Sequence, residues 1–187
     1  MQEDVYTLER FIEDLRHITA DSADERQILS RVRPLAHRLA LSRTWLRPEH
    51  YEADAEQGFG VHVLHEEPDH TPAVFAASWL PSRGAPPHDH GTWAVVAGVD
   101  GPEKNVFWER LDDRSHPGYA ELRKTGEKVF GPGDVLAMPS GGIHSVVNES
   151  AQVSLSLHVY GKHVNHTERS KFDPEQRTET IFKVKLK

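Results

Sequence analysis

The chain has no cysteine in its 187 residues, which removes disulfides from any account of its fold and is compatible with a reducing compartment. It lacks an apolar run long enough to span a bilayer, and the opening Met1-Gln2-Glu3-Asp4 is too acidic for a signal peptide, so cytoplasmic residence is the expectation. It also lacks the excess positive charge of a general nucleic-acid binder: the formal net charge is -7. The one clustered basic run, Lys183 to Lys187, alternates with Val184 and Leu186 and reads as a solvated edge strand. There is no internal repeat and no low-complexity tract. A length of 187 residues suits one domain over 1–187, and nothing in the pattern gives an oligomeric state.

The texture changes once along the chain. Over residues 1–45, Leu8, Phe11, Ile12, Leu15 and Ile18 recur at helical spacing. Ser22 followed by Glu25 forms a capping box before Ile28, Leu29, Val32, Leu35, Ala36 and Leu39. Two amphipathic helices are expected, the second kinked or divided at Pro34. From 55 to 187 short apolar runs alternate with turns, giving strands at Val61 to Leu64, Ala73 to Leu80, Trp93 to Gly98, Asn105 to Leu111, Glu127 to Phe130, Asp134 to Met138, Ser145 to Val147 and Val153 to Tyr160. A last strand is expected over Thr180 to Leu186. So many short strands predict a mainly β sandwich or barrel, with the helical segment packed on it and Trp93 and Trp108 filling the interior.

Three histidines carry the chemistry. In His88-Asp89-His90, strand alternation turns both imidazoles one way and Asp89 the other. His144 supplies a third imidazole from a neighbouring strand, which completes one face of an octahedron and leaves positions open for substrate and O₂. Around His144 the sequence reads Gly133-Asp134-Val135-Leu136-Ala137-Met138-Pro139-Ser140-Gly141-Gly142-Ile143-His144-Ser145-Val146-Val147-Asn148. Gly133 and Asp134 turn the chain, Pro139 ends pairing, and Gly141 permits the tight turn that delivers His144 to the next strand. This stretch resembles the second cupin motif, G-x5-P-x-G-x2-H-x3-N, at every fixed position. Gly84 to Gly98 resembles the first, with one departure: Ala94, Val95 and Val96 stand where a glutamate ligand is expected. A cupin (double-stranded β-helix, jelly-roll) barrel follows from that resemblance.

Near the C-terminal end, Ser154 to Tyr160 alternates strictly. Leu155, Leu157 and Val159 point one way, and Ser156, His158 and Tyr160 the other, as a row able to hydrogen-bond from hydroxyl to imidazole to phenol. A buried polar row without a task would be costly.

Taken together, residues 55 to 175 resemble the cysteine dioxygenase-type thiol dioxygenases, and most closely the bacterial branch that includes 3-mercaptopropionate dioxygenase. The resemblance implies Fe(II) held by His88, His90 and His144 without a carboxylate, a Ser156-His158-Tyr160 triad, and Arg169, nine residues past Tyr160, as the carboxylate anchor. With no cysteine, the thioether crosslink of the mammalian enzymes cannot form. The segment Phe59 to Leu64 also lacks the arginine or glutamine those relatives use for substrate, leaving Arg169, His62 or Arg83 to bind a carboxylate. The implied reaction is oxidation of a small thiol carboxylate, such as 3-mercaptopropionate, cysteine or mercaptosuccinate, to its sulfinate by O₂. The other readings open at this point are a cupin dioxygenase that cleaves a carbon-carbon bond and a non-catalytic metal- or ligand-binding cupin.

Overall fold

The computed structural model describes residues 5–187; the acidic opening Met1 to Asp4 lies outside the described residues. Two helices come first, α1 (Leu8–Asp21) and α2 (Glu25–Ser42), and Phe11, Leu15, Ile18, Ile28, Val32, Ala36, Leu39 and Ala40 are their buried positions. The spacing therefore placed both helices and their apolar stripes. The cap of α2 differs from expectation. Asp24, not Ser22, is the N-cap, its Oδ1 accepting from the backbone N–H of Arg26 at 2.8 Å and of Gln27 at 3.2 Å. The Ser22 hydroxyl instead accepts from the Asp24 N–H at 3.1 Å, since a carboxylate one step from the helix caps at least as well as a serine further back. Nor does Pro34 divide α2, which runs through it undivided; the proline is exposed while Val32, Ala36 and Leu39 anchor both halves of the helix to the core.

Eleven strands follow: β1 (Phe59–Glu66), β2 (Ala73–Trp79), β3 (Gly84–His88), β4 (Ala94–Asp100), β5 (Glu103–Arg110), β6 (Leu122–Phe130), β7 (Val135–Met138), β8 (Ile143–Val147), β9 (Ser154–Tyr160), β10 (Ser170–Asp173) and β11 (Thr178–Ile181). They form a five-stranded sheet ordered β1-β2-β9-β4-β7 and a six-stranded sheet ordered β11-β10-β3-β8-β5-β6. This arrangement, two sheets with a helical pair outside, resembles the cupin double-stranded β-helix. The expected barrel is not a closed hydrogen-bonded ring: the described strands make two open sheets joined through packed side chains, as in a double-sheet jelly roll.

One strand, β10, escaped the sequence reading, and the strand expected to carry His88 and His90 starts earlier and ends at His88. β3 is Gly84-Ala85-Pro86-Pro87-His88, and its two prolines, which have no N–H to donate, sit where its register with β8 slips between Ala85 and His88. β10 is short and pairs with β11. The expected last strand is shorter too. Pairing stops at Ile181, and Lys183 to Lys187 is no edge strand: its lysines are exposed while Phe182 and Val184 turn into the space between the sheets.

The five-stranded sheet separates two cores. On its outer face Val74, Ala76, Val95, Ala97, Leu155, Leu157 and Val159 pack against the helices. On its inner face Phe59, Val61, Ala73, Phe75, Ala77, Trp79, Ala94 and Tyr160 meet Ala85 and Val146 of the other sheet. The two tryptophans expected in the interior lie elsewhere: Trp93 joins the helix-side core, and Trp108 packs with Ala120, Ile143 and Phe172 on the far face of the six-stranded sheet. Only Gly fits at position 84, because a Cβ there would stand 1.9 Å from the Val146 carbonyl oxygen. That contact holds β3 against β8, and so His88 against His144.

Candidate metal centre

His88 closes β3, and His144 is the second residue of β8, directly opposite it in register. β3 ends at His88, so the expectation of two imidazoles on one strand is met only in part: His90 lies in the turn that leads to β4. The alternation survives the end of the strand. Asp89 turns away and exchanges two hydrogen bonds with Ser170, donating its N–H to the Ser170 carbonyl at 3.1 Å and accepting the Ser170 N–H on its carboxylate at 3.0 Å. Thr167 holds the His90 carbonyl from the other side, its hydroxyl donating at 2.9 Å. The expected turn residues adopt left-handed conformations, with φ of +84° at Gly133 and +82° at Gly141.

The three rings converge. Their centroids are 5.0 Å (His88–His90), 4.7 Å (His88–His144) and 5.1 Å (His90–His144) apart, and one ring nitrogen from each lies within 4.8 Å of the others. In His88 and His144 the nitrogen turned away from the centre has a fixed partner. His88 Nδ1 stands 2.8 Å from the Pro86 carbonyl, which can only accept, so the proton is on Nδ1 and Nε2 keeps its lone pair. His144 Nδ1 is 2.7 Å from Asn105 Oδ1, while Asn105 Nδ2 donates to the Glu103 carbonyl at 3.4 Å; that second bond sets the amide orientation and makes Nδ1 the donor. His144 Nε2 is left buried with no hydrogen-bond partner. Burial lowers all three imidazoles, His144 to about 3, so they stay neutral at physiological pH. Three neutral rings, two of them with oriented outer N–H groups and one with an orphaned inward lone pair, fit a transition metal. The expected absence of a carboxylate ligand has a structural counterpart: Ala94 and Val96 share the inward face with Tyr160 and His158, and neither offers an oxygen. A second group, Glu66, His70 and His166, is half exposed, and its two imidazoles stack 3.5 Å apart at 13°, so their in-plane lone pairs run in near-parallel planes.

The histidines line a small cavity of about 40 Å³. His158 and Tyr160 face it from β9, Arg169 from the segment before β10, and Phe182 and Val184 from the C-terminal segment. Ser156 Oγ is 2.8 Å from His158 Nε2, and His158 Nδ1 is 2.7 Å from the Tyr160 hydroxyl, all three residues being buried. Burial lowers His158 to about 3 and raises the Tyr160 phenol well above its ordinary range, so both are neutral. The Tyr160 ring centroid lies 5.0 Å from that of His90, which puts the end of the row beside the metal position.

Of the three side chains considered for a carboxylate, only Arg169 is in the cavity. It is 3 % exposed, donates from Nε to the Phe182 carbonyl at 3.1 Å, and lies 4.3 Å from the Phe182 ring centroid. No carboxylate forms an ion pair with it among the described residues. Burial draws its guanidinium down to about 10, still charged at neutral pH. His62 points to the other face of β1, where its Nε2 meets the Glu52 carbonyl at 2.9 Å. Arg83 is exposed and donates to the Glu56 carbonyl at 2.8 Å. The sequence reading missed Asn105, Thr167, Phe182 and Val184. A signal existed for the first: Glu103 and Asn105 are polar residues two apart on a strand that enters the interior.

No protein-family model matches the chain. Among solved structures it is similar to an oxalate oxidase bound to the substrate analogue glycolate (16% identity over 59% of this chain and 56% of that one, TM-score 0.45). It is similar to a DMSP lyase from Ruegeria pomeroyi (19%, 66% and 56%, TM-score 0.47) and to a cupin superfamily protein from Desulfitobacterium hafniense (16%, 60% and 84%, TM-score 0.43). The chain thus spans little more than half the length of the oxalate oxidase. A likeness of this degree says nothing of substrate. What the chain's own residues make is a pair of sheets enclosing a buried three-histidine cluster fit for a transition metal, open on one side to a cavity.

Proposed function

We propose that the protein is a non-haem Fe(II)-dependent thiol dioxygenase that converts a small thiol carboxylate to its sulfinate, RSH + O₂ → RSO₂H. The observation that carries this reading is the hydrogen-bonded row Ser156, His158, Tyr160 ending in the cavity beside three neutral histidines and one unpaired buried arginine. His88, His90 and His144 would hold the iron, which when bound supplies the redox chemistry between O₂ and sulfur. Three neutral ligands leave the metal's charge uncancelled and favour an anionic sulfur.

The chain's own residues do the rest. Arg169 anchors the carboxylate through charge-assisted hydrogen bonds, since its Nε is committed to the Phe182 carbonyl and its terminal nitrogens carry no ion pair. The Phe182, Phe75 and Trp79 rings exclude water from the reacting end. His158 holds the phenol in place, and Ser156 holds His158. The test is a panel of thiols given to Fe(II)-loaded enzyme, with sulfinate read by mass spectrometry and metal content measured on the same sample. A 3-carbon or 4-carbon thiol carboxylate is expected to yield sulfinate with matching O₂ uptake. Uptake no greater than in the metal-free control for every thiol would sink the reading.

A further inference from the structure

At about 40 Å³ the cavity has space for a few waters and not for an organic ligand beside a metal ion. Something in its wall must therefore move before a ligand reaches the histidines. Most of the lining belongs to β1, β2, β3, β8 and β9, whose backbones are paired in ladders. The segment after β11 is the exception. Phe182 and Val184 turn into the cavity at 8 % and 9 % exposure, while Lys183, Lys185 and Leu186 between and beyond them are exposed. That alternation is the mark of an extended chain lying across the opening with one face inward.

Residues 183–187 belong to no ladder. Among the described residues their one backbone–backbone hydrogen bond runs from the Lys187 N–H to the Val61 carbonyl at 2.9 Å. Two side-chain amides stand in for the missing neighbour strands. Asn165 accepts the Val184 N–H on Oδ1 at 3.0 Å and donates from Nδ2 to the Val184 carbonyl at 2.9 Å. Gln57 does the same for Lys185, Oε1 accepting its N–H at 2.8 Å and Nε2 donating to its carbonyl at 3.3 Å. Successive residues of an extended chain turn their backbone groups to opposite sides, so the two amides grip the segment from its two edges. The lysines add bonds at the surface: Lys183 Nζ donates to the Asn165 and Thr167 carbonyls at 2.6 and 3.0 Å. Lys185 Nζ pairs with Glu56 at 2.5 Å, where solvent leaves such a pair little weight. Phe182 is held differently. Its N–H donates to the Arg169 carbonyl at 3.0 Å, and its own carbonyl accepts from Arg169 Nε at 3.1 Å.

We propose that residues 183–187 are the gate of the metal cavity: they swing away about Phe182, which stays with Arg169, and the Asn165 and Gln57 amides are the latches that hold them shut. The gate requires only that a metal ion or ligand reach the three histidines, and it stands whatever the reaction. Val184 is the plug, the one apolar side chain of the swinging part that lines the cavity. Its departure breaks the bonds to two side-chain amides and one to Val61, whereas moving β2 or β9 would break ladders on both of their edges. A segment held by so few backbone bonds opens at lower free energy than the sheets around it. Phe182 keeps its ring 5.3 Å from that of His88 and its two bonds to Arg169, so the arginine remains in position while the gate is open.

The test uses the full chain loaded with Zn²⁺ and needs no thiol. Amide hydrogen exchange followed by NMR should find Val184 and Lys185 exchanging about a hundredfold faster than Phe182 and the amides of β9. Asn165→Ala, which removes both bonds to Val184, should speed exchange at Val184 and Lys185 roughly tenfold further and leave β9 unchanged. The same variant should take up Zn²⁺ and lose it to excess chelator about tenfold faster, with the equilibrium affinity unmoved, because a gate alters the path and not the site. Val184 and Lys185 amides as slow as those of β9 overturn the proposal. So does a variant in which exchange quickens while both metal rates stay at the wild-type level. Faster loss with unchanged uptake overturns it too, since that would make Asn165 a support of the site itself. Should Asn165→Ala fail to fold, Gln57→Ala releases Lys185 instead and faces the same outcomes. Gated metal exchange in a protein that yields no sulfinate upholds the gate and removes the thiol reading; sulfinate formation with ungated exchange does the reverse.

Discussion

Asn105 Oδ1 lies 2.7 Å from His144 Nδ1, and both side chains are buried. One amide thus decides which nitrogen of a candidate ligand faces the centre. Asn105→Ala should keep the fold yet weaken metal binding roughly 10- to 100-fold, the usual cost of removing such an orienting partner. Competition against a chelator of known affinity measures it, and an unchanged affinity would show that packing alone orients the ring.

Tyr160→Phe removes a hydroxyl and little volume. Metal content should stay at the wild-type level while thiol turnover falls about 100-fold, the scale seen when one oriented donor is lost from a reaction site. Equal turnover in the two proteins would mean that the row ends in the cavity without a role there.

Arg169→Gln should raise KM for thiol carboxylates roughly 10- to 100-fold, the equivalent of losing a charge-assisted hydrogen bond, and change KM for thiols lacking a carboxylate far less. A uniform rise for both classes would assign Arg169 to packing against Phe182 instead.

Phe182→Ala opens a wall of the cavity and strips the aromatic face from Arg169. Truncating a buried Phe costs about 3 kcal/mol, so the thermal midpoint should drop by several degrees, with KM rising alongside. A drop in stability with KM unmoved would separate the wall from the site.

Acid should unfold the metal-free protein early. His144 and His158 are held near 3 in the folded chain by burial, whereas an unfolded imidazole titrates near 6.5. Below pH 6.5 the unfolded state takes up protons that the folded state refuses, so stability is intact above that pH and declines as pH falls towards 3. Midpoints in urea measured from pH 8 to pH 4 check the sign; a midpoint that rises on acidification contradicts it.

The sequence made legible whatever depends on periodicity or on a side chain's own chemistry. The apolar stripe of α1, the alternation of β9 and the turn that presents His144 all follow from spacing, and the structure shows each of them. The part of strand β3 that precedes His88 was hidden because Pro86 and Pro87 spoil the ladder that defines a strand, yet tertiary packing against β8 forms it regardless. Phe182 and Val184 looked like spacers in a lysine-rich edge because local pattern cannot say that the segment after β11 tucks between two sheets. Asn105 was illegible as the partner of His144, since the two are 39 residues apart in sequence and meet only through the register of β5 with β8.

Strand β9 carries two messages in one frame. Its odd positions Leu155, Leu157 and Val159 serve the helices, and its even positions Ser156, His158 and Tyr160 serve the cavity. Insertion of a single codon inside that strand would exchange the two sets, burying an imidazole and a phenol under α2 and presenting leucines to the metal. A two-codon insertion would restore the parity of the strand beyond it. Evolution of this segment is therefore confined to substitutions and to length changes in even steps, which is a constraint on the gene and not only on the protein.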